Sequence, residues 1–363
     1  MRAEAAVTVT IRELEPAPVD AAVPAWAQPW IRPDTTWPEE RSLFALSARD
    51  PAGNEAVVGP LSPVVTQLVK DQFGPSLSSL TTLPRPDGHL PCEGRHRSGS
   101  HFRLAQAAVD ELAFRLAVVP ATEPGRTSVA CYATAMGFDL TAQIAPELAR
   151  WLRDEGYAGQ KWRLVADAGG DVSRDDLRAL ERVLRAADPS PVMVDAIGTW
   201  SKATARRLLP VLGELGVRWV EEPCGDMAGL GQPDATWPPI AAGEHAYEPA
   251  DQWRLLGSGR VDVWQPDVGW GGGITQALAT TRAARELGVP TIPHGGTLRS
   301  ALLLAAHTDE VAVPWVEYHL TQEPRRQRCS ADPAKPAGGR LSCHAGEELR
   351  FRAVDPVAPE VTS

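Results

Sequence analysis

Six side chains able to do chemistry recur at near-constant spacing in the second half of the chain. Asp195 closes PVMVDAI, Glu221 follows VRWV, Glu244 ends PIAAGE, Asp267 ends VWQPD, His294 ends TIPH, and Glu317 lies in PWVEYH. The separations are 26, 23, 23, 27 and 23 residues, each about one strand, one helix and two loops. A single acidic strand end is normally a helix cap or a solvated charge. Six in phase put distant side chains on one rim, the carboxyl-terminal face where active sites of parallel barrels lie. Converging carboxylates on Asp195, Glu221 and Glu244 call for a cation, because two unit charges ~4 Å apart repel by roughly 4 kcal/mol at an effective dielectric of ~20. An all-oxygen set with open positions suits Mg2+ better than zinc. The competing reading pairs each carboxylate with one of the chain's many arginines.

Asp267 and His294 hold the only evident base. A carboxylate at the imidazole fixes its tautomer and raises its basicity, so that the ring can take a carbon-bound proton. Lys161-Trp162-Arg163 forms a strand in which alternation puts Lys161 and Arg163 on one face, into the barrel, and Trp162 on the other, against helices. Arginine cannot be deprotonated in a protein, so Arg163 is a clamp for an anionic group and not a base. The tract Gly269-Trp270-Gly271-Gly272-Gly273 reads as a tight turn in preference to a phosphate cradle.

The elements that must position these groups fall into two regions. Up to about residue 125 the chain reads as a small α+β domain, with strands over 5–14, 42–49 and 55–59 and helices over 62–72 and 101–118. A Pro- and Trp-rich stretch holding Trp26, Trp30 and Trp37 separates the first two strands, and Trp30 is the expected lid residue over a ligand. From 126 to 321, eight short apolar runs alternate with helical patterns at 141–155, 174–187, 202–215, 249–256, 274–287 and 300–308. That alternation predicts a parallel sheet closed into a (β/α)8-type barrel. An open doubly wound sheet would want a Gly-rich turn after its first strand, and none follows Ala135. Residues 322–363 are expected to pack back on the small domain.

Composition narrows the function. With 36 basic and 46 acidic residues the formal charge is −10, which argues against nucleic acid or an anionic membrane as partner. No run of ~18 apolar residues occurs, and no apolar signal segment follows Met1. Five scattered cysteines without CxxC spacing fit a reduced, cytoplasmic protein without structural zinc. The expected partner is therefore a small molecule, and a homo-oligomer is the expected assembly.

Asp195, Glu221 and Glu244 on strands three, four and five, followed by Gln265-Pro266-Asp267 and His294, resemble the enolase superfamily, and the Asp/His pair resembles its mandelate racemase subgroup. The resemblance implies a modified barrel, (β/α)7β, under an N-terminal capping domain. It also implies Mg2+ and removal of a proton α to a carboxylate, leaving an enediolate held on the metal. Lys161 is then a catalytic residue facing the substrate carboxylate and the metal, unless it is buried in an ion pair with a metal-site carboxylate. Arg163 stands where relatives often carry a second lysine as base. Glu317 hydrogen-bonds the substrate carboxylate and is protonated for that purpose, and His245 contacts substrate. Three places depart from the family pattern: Ile197 after Asp195-Ala196, Thr122-Glu123-Pro124-Gly125, and Ser342-Cys343-His344-Ala345. A racemase needs groups on both faces of the substrate, whereas one histidine suits β-elimination. Gly243-Glu244-His245 and Pro266-Asp267-Val268-Gly269-Trp270 resemble rhamnonate-type dehydratases, so the expected activity is dehydration of a sugar acid to a 2-keto-3-deoxy acid. An epimerase, a cycloisomerase and a catalytically idle binding protein are the alternatives.

Overall fold

Strand β1 (Thr8–Leu14) alternates exposed and buried residues, as a strand with one wet face must. It pairs antiparallel with β2 (Leu43–Arg49), which pairs in turn with β3 (Glu55–Leu61). The β2–β3 turn is tied by Asp50, whose carboxylate accepts the amides of Ala52 and Asn54 at 2.9 and 2.8 Å. Helices α1 (Pro63–Leu68) and α2 (Gly74–Leu77), joined by a π-turn over Val69–Phe73, lead toward α3 (Ser100–Ala117). Phe102, Ala105, Val109 and Leu112 of α3 pack with Val9, Ile11, Leu46 and Val58 into one apolar cluster. The computed structural model describes residues 7–17, 20–32, 43–77, 100–117, 125–225, 227–230 and 234–343. Trp37, Thr122-Glu123-Pro124 and His344-Ala345 lie outside them.

The second region is a parallel sheet curled into a half-barrel. Its strands are β4 (Ser128–Thr134), β5 (Gln160–Arg163), β6 (Val192–Asp195), β7 (Val220–Glu221), β8 (Ile240–Ala242), β9 (Val263–Trp264) and β10 (Trp315–His319), in the order β10-β4-β5-β6-β7-β8-β9. The connecting helices are α4 (Ala145–Asp154), α5 (Arg174–Ala187), α6 (Lys202–Glu214), α7 (Pro249–Leu256), α8 (Ile274–Glu286) and α9 (Leu298–Ala306). Helix α5 starts where Ser173 and Asp176 cap each other reciprocally. The architecture is a modified (β/α)7β barrel beneath an antiparallel cap.

One expected strand is missing. PTIPHGG contributes only an isolated parallel bridge, Thr291 to Trp264. Pro293 removes the donor that would continue from Thr291 toward β10, so pairing stops on that side, whereas Ile292 and His294 still donate to Trp264 and Pro266 on the β9 side. After helix α10 (Glu323–Arg326), the chain runs along both regions. Cys329 packs with Leu14 and Ala45 of the cap, whereas β11 (Arg340–Ser342) pairs antiparallel with β4 of the barrel.

Alternation sorts each barrel strand into an inner and an outer set. Val129, Cys131, Trp162, Val192, Val194 and Val220 point outward into the main core with the helices. Tyr132, Met193, Trp219, Ala241, Val263 and Ile292 fill the barrel floor, with Tyr132 edge-on to Trp219 at 5.7 Å. The polar site stands on this floor.

Among the described residues no helix is long and apolar enough to cross a membrane.

Candidate active site

Lys161 and Asp195 rise from the floor on β5 and β6, and Glu221 ends β7 as the register partner of Asp195. Lys161 is 1% exposed, with its ammonium 2.7 Å from Glu221 Oε1, 2.9 Å from Glu317 Oε1 and 3.3 Å from Asp195 Oδ2. Burial opposes the charge, but Glu221, Glu317, Tyr132 and Asp195 outweigh it and raise the lysine pKa well above its usual value. Lys161 is therefore a permanent cation. Glu317 differs from expectation. It accepts from Thr134 Oγ1, from Lys161 and from the Gly295 amide at 2.7 Å. Burial raises its pKa, yet Lys161, His294 and Thr134 pull it well below the carboxylate range, so Glu317 is ionised, not protonated.

His294 follows the Thr291 bridge. Its Nδ1 lies 2.8 Å from Asp267 Oδ2 and its Nε2 lies 2.9 Å from Glu244 Oε2. Burial disfavours the imidazolium, but Glu244 and Asp267 reverse that and raise the pKa well above the usual value. The two glycines that follow are sterically required. A Cβ on Gly296 would stand 2.1 Å from Asp267 Oδ2, and one on Gly295 would stand 2.9 Å from Glu317 Cγ. Asp267 also accepts the Trp270 amide at 2.8 Å, and the Trp270 ring covers His294 at 5.2 Å.

The three expected metal ligands divide between two cations. Asp195 and Glu221 turn to Lys161, while Glu244 meets His294 and, at 3.3 Å, His245. Among the described residues, the ligand atoms that converge within 4.8 Å of one another belong to Glu222, Glu244 and His245, a group able to hold a divalent ion. The Asp195–Glu221 pair also suits a cation. Glu221 Oε2 is buried without a hydrogen-bond partner. Burial raises the pKa of both carboxyls, which Lys161 lowers but does not restore to normal. Glu244 behaves oppositely. His294 overcomes the effect of burial and takes its pKa down to about 2.

The remaining expected residues sit around the mouth. Arg163, in register with Asp195, makes no ion pair with it, and its Nε is buried without a partner. His245 is half-exposed and bonds Glu222 at 2.6 Å, a contact that raises its pKa. Trp30 closes a short 3-10 turn, and the next residue, Ile31, bridges Phe138 in the loop after β4, at the same end of the barrel as Thr134 and Lys161. Trp30 meets this rim through backbone pairing of its neighbour and remains 38% exposed.

Thr134 and Glu222 escape the sequence reading, and Trp270 and Gln265 enter it as motif residues without a role. Thr134 was visible as the end residue of β4, in phase with Lys161. Glu222 adjoins Glu221, but its turn toward His245 rests on a left-handed backbone, φ +38°, which spacing does not reveal. Trp270 follows Asp267 by three residues, the offset of an amide that caps a carboxylate. Gln265 is 1% exposed with both ends of its amide unpartnered, so it is an unspent pair of hydrogen-bonding groups.

A half-barrel whose rim carries a buried lysine, clustered carboxylates and a His–Asp pair is a scaffold suited to acid–base chemistry. The family model described as enolase C-terminal domain-like matches residues 143–347, more than half of the chain. The chain belongs to the enolase superfamily, in its mandelate racemase/muconate lactonizing subgroup. It is 29% identical over 242 residues to D-galactarolactone cycloisomerase of Agrobacterium fabrum, covering 62% of each chain. It is 32% identical over 199 residues to L-talarate/galactarate dehydratase of Salmonella typhimurium, covering 53% of this chain and 48% of that one. These matches span about half to three-fifths of the curated relatives' length. The crystal structure of L-talarate dehydratase from Polaromonas sp. JS666, complexed with Mg and L-glucarate, superposes with a TM-score of 0.68. It is 22% identical and covers 97% of this chain and 95% of that chain.

Proposed function

We propose that this protein is an enzyme that removes the proton α to the carboxylate of a sugar acid and then expels water, as an acid-sugar dehydratase. The observation that carries the reading is the His294–Asp267 pair at 2.8 Å, set beside a buried group of carboxylates and one lysine. With a proton held on Nδ1 by Asp267, Nε2 would offer its lone pair to substrate once Glu244, 2.9 Å away, turned to a cation instead. His294 Nε2 takes the α-proton, and the C–H electron pair moves into the bond between the α-carbon and the carboxyl carbon. The β-hydroxyl then leaves with its bonding pair and receives the same proton from Nε2, departing as water. The resulting enol becomes the 2-keto-3-deoxy acid. Lys161 and Arg163 bind the anionic end, and the Trp270 ring keeps water from the imidazole.

Asp195, Glu221 and Glu244 would hold Mg2+, the metal named with the Polaromonas relative. When bound, the ion supplies positive charge opposite the substrate carboxylate. Glu221→Gln should sharply lower Mg2+ affinity by calorimetry with the barrel still folded, and unchanged affinity would remove Glu221 from the site. A panel of mono- and diacid sugars assayed for keto-acid formation tests the reaction. A second reading, cycloisomerisation, draws on the similarity to D-galactarolactone cycloisomerase. It is favoured if α-proton exchange with solvent deuterium proceeds without water loss. Arg163 disfavours racemisation, because it cannot act as a base on the face opposite His294.

A further inference from the structure

Lys161 is placed to oppose the cation that its neighbours would bind. It touches both Asp195 and Glu221, two of the three proposed ligands, from within the barrel and out of solvent. A buried ammonium beside a divalent ion is strongly repulsive at the dielectric of a protein interior. The geometry also moderates this repulsion. Glu221 gives Lys161 only Oε1 and keeps the buried Oε2 unpartnered. The contact to Asp195 is the longest of the three, 3.3 Å, whereas Asp195 Oδ1 is spent on the Ile197 amide at 2.8 Å.

Glu317 pulls from the other side. It stands on β10, which lies beyond β4 from β5, while Asp195 and Glu221 end β6 and β7 on the opposite flank. Its position is fixed independently of Lys161 by the Gly295 amide and the Thr134 hydroxyl. A carboxylate anchored this way offsets the ammonium's charge from the β10 side, at 2.9 Å against 2.7 Å for Glu221 on the other, so that less of it opposes a cation between Asp195 and Glu221.

We propose that Lys161 and Glu317 form an opposed pair that sets divalent-metal affinity, Lys161 lowering it and Glu317 restoring it. The inference rests on the Asp195–Glu221–Glu244 metal site proposed above. Both are positioning residues in this role, acting through the ligands.

The test is Mg2+ titration of the full chain by calorimetry, paired with the Mg2+-induced shift of Tm, and needs no substrate. Lys161→Met should tighten Mg2+ binding by about tenfold or more, because one repulsive charge is lost. Glu317→Gln should weaken it by about tenfold, since Lys161 is then uncompensated. The charge-neutral double variant Lys161→Met/Glu317→Gln should return to within about threefold of wild type, because one positive and one negative charge are lost together. A merely structural role would weaken binding in both single variants. Weakened or unchanged binding in a folded Lys161→Met protein overturns the proposal. Should Lys161→Met fail to fold, Glu317→Gln and the double variant decide it: unchanged or tighter binding in Glu317→Gln, or a double variant no better than Glu317→Gln, overturns it. Glu221→Gln separates the two hypotheses. If it leaves Mg2+ affinity intact, the site assignment fails. If it abolishes binding while the Lys161 and Glu317 variants change nothing, only the opposed pair fails.

Discussion

The two flanks of the site are built from the same materials and do opposite things. On the β5 flank, Lys161 is surrounded by carboxylates at 2.7 to 3.3 Å, with Arg163 two residues further along the strand. On the opposite flank, His294 has two carboxylate partners, Asp267 and Glu244, but its ring has two nitrogens and an ordinary pKa near neutrality. Both flanks raise the pKa of their cation. Only the imidazole has an ordinary pKa near neutrality, so losing Glu244 to a bound cation would lower it back toward that value, whereas the lysine stays charged either way. The same acidic surroundings therefore make a fixed cation of a lysine and a conditional one of a histidine.

The largest effect expected from this contrast is at His294. His294→Asn keeps size and a hydrogen bond but loses the titrating nitrogen, and turnover and α-proton exchange should fall by about 10²–10⁴-fold with Mg2+ still bound. Full exchange in that variant would move the base to the other flank. Asp267→Asn should cost less, though still more than about tenfold in kcat, by favouring the wrong tautomer. An unchanged kcat would show that Glu244 alone orients the ring. Arg163→Lys sharpens the contrast from the other side. It should raise KM by several fold, about 1 kcal/mol for a lost bidentate contact, and deuterium exchange on the second face of the substrate would show that a titratable group there suffices for a two-base site.

A pH experiment separates the flanks without substrate. The pKa of Glu244 is about 2 against an ordinary 4.5: burial raises it, and His294 lowers it by more. Its contribution to stability is thus complete above about pH 4.5 and is lost as the pH falls toward 2. With a chelator present, Glu244→Gln should flatten the denaturation free energy across that window. A slope as steep as wild type places the depressing charge elsewhere. The smallest effect belongs to Ile197, which holds φ +51°, a left-handed conformation that is costly for a β-branched residue. Ile197→Asn should stabilise the fold by about 1 kcal/mol in chemical denaturation. No gain would mean that the apolar side chain itself contributes at the mouth.

Much of this was legible because two periodicities carry it. Alternation alone separates Lys161 and Arg163 from Trp162, and the structure keeps that separation. The strand–helix period foretold the rim, and Asp195 and Glu221 do end strands, while Asp267 follows β9, His294 follows the Thr291 bridge and Glu317 lies within β10. The local cap at Ser173 was equally readable. What spacing could not show were contacts set by backbone sign and by long-range competition. Glu222 reaches His245 through a positive φ, and Glu317 ionises because three donors from three elements meet it. The lost seventh strand had its signal in Pro293, which outweighs the apolar character of its neighbours.

That lost strand bears on how the molecule breathes. On the β9 side the segment is held by Trp264 N–H to Pro290 O at 2.9 Å, Ile292 N–H to Trp264 O at 2.8 Å and His294 N–H to Pro266 O at 3.1 Å, whereas toward β10 Thr291 N–H meets Ala312 O at 2.8 Å. A seam with this asymmetry would part first on its β10 side. Amide hydrogen exchange should then find Thr291 less protected than Ile292, Val194 or Val220. His294 follows Thr291 by three residues and is tied through its own amide to the β9 side, so the base would stay with the barrel wall while the neighbouring edge opens.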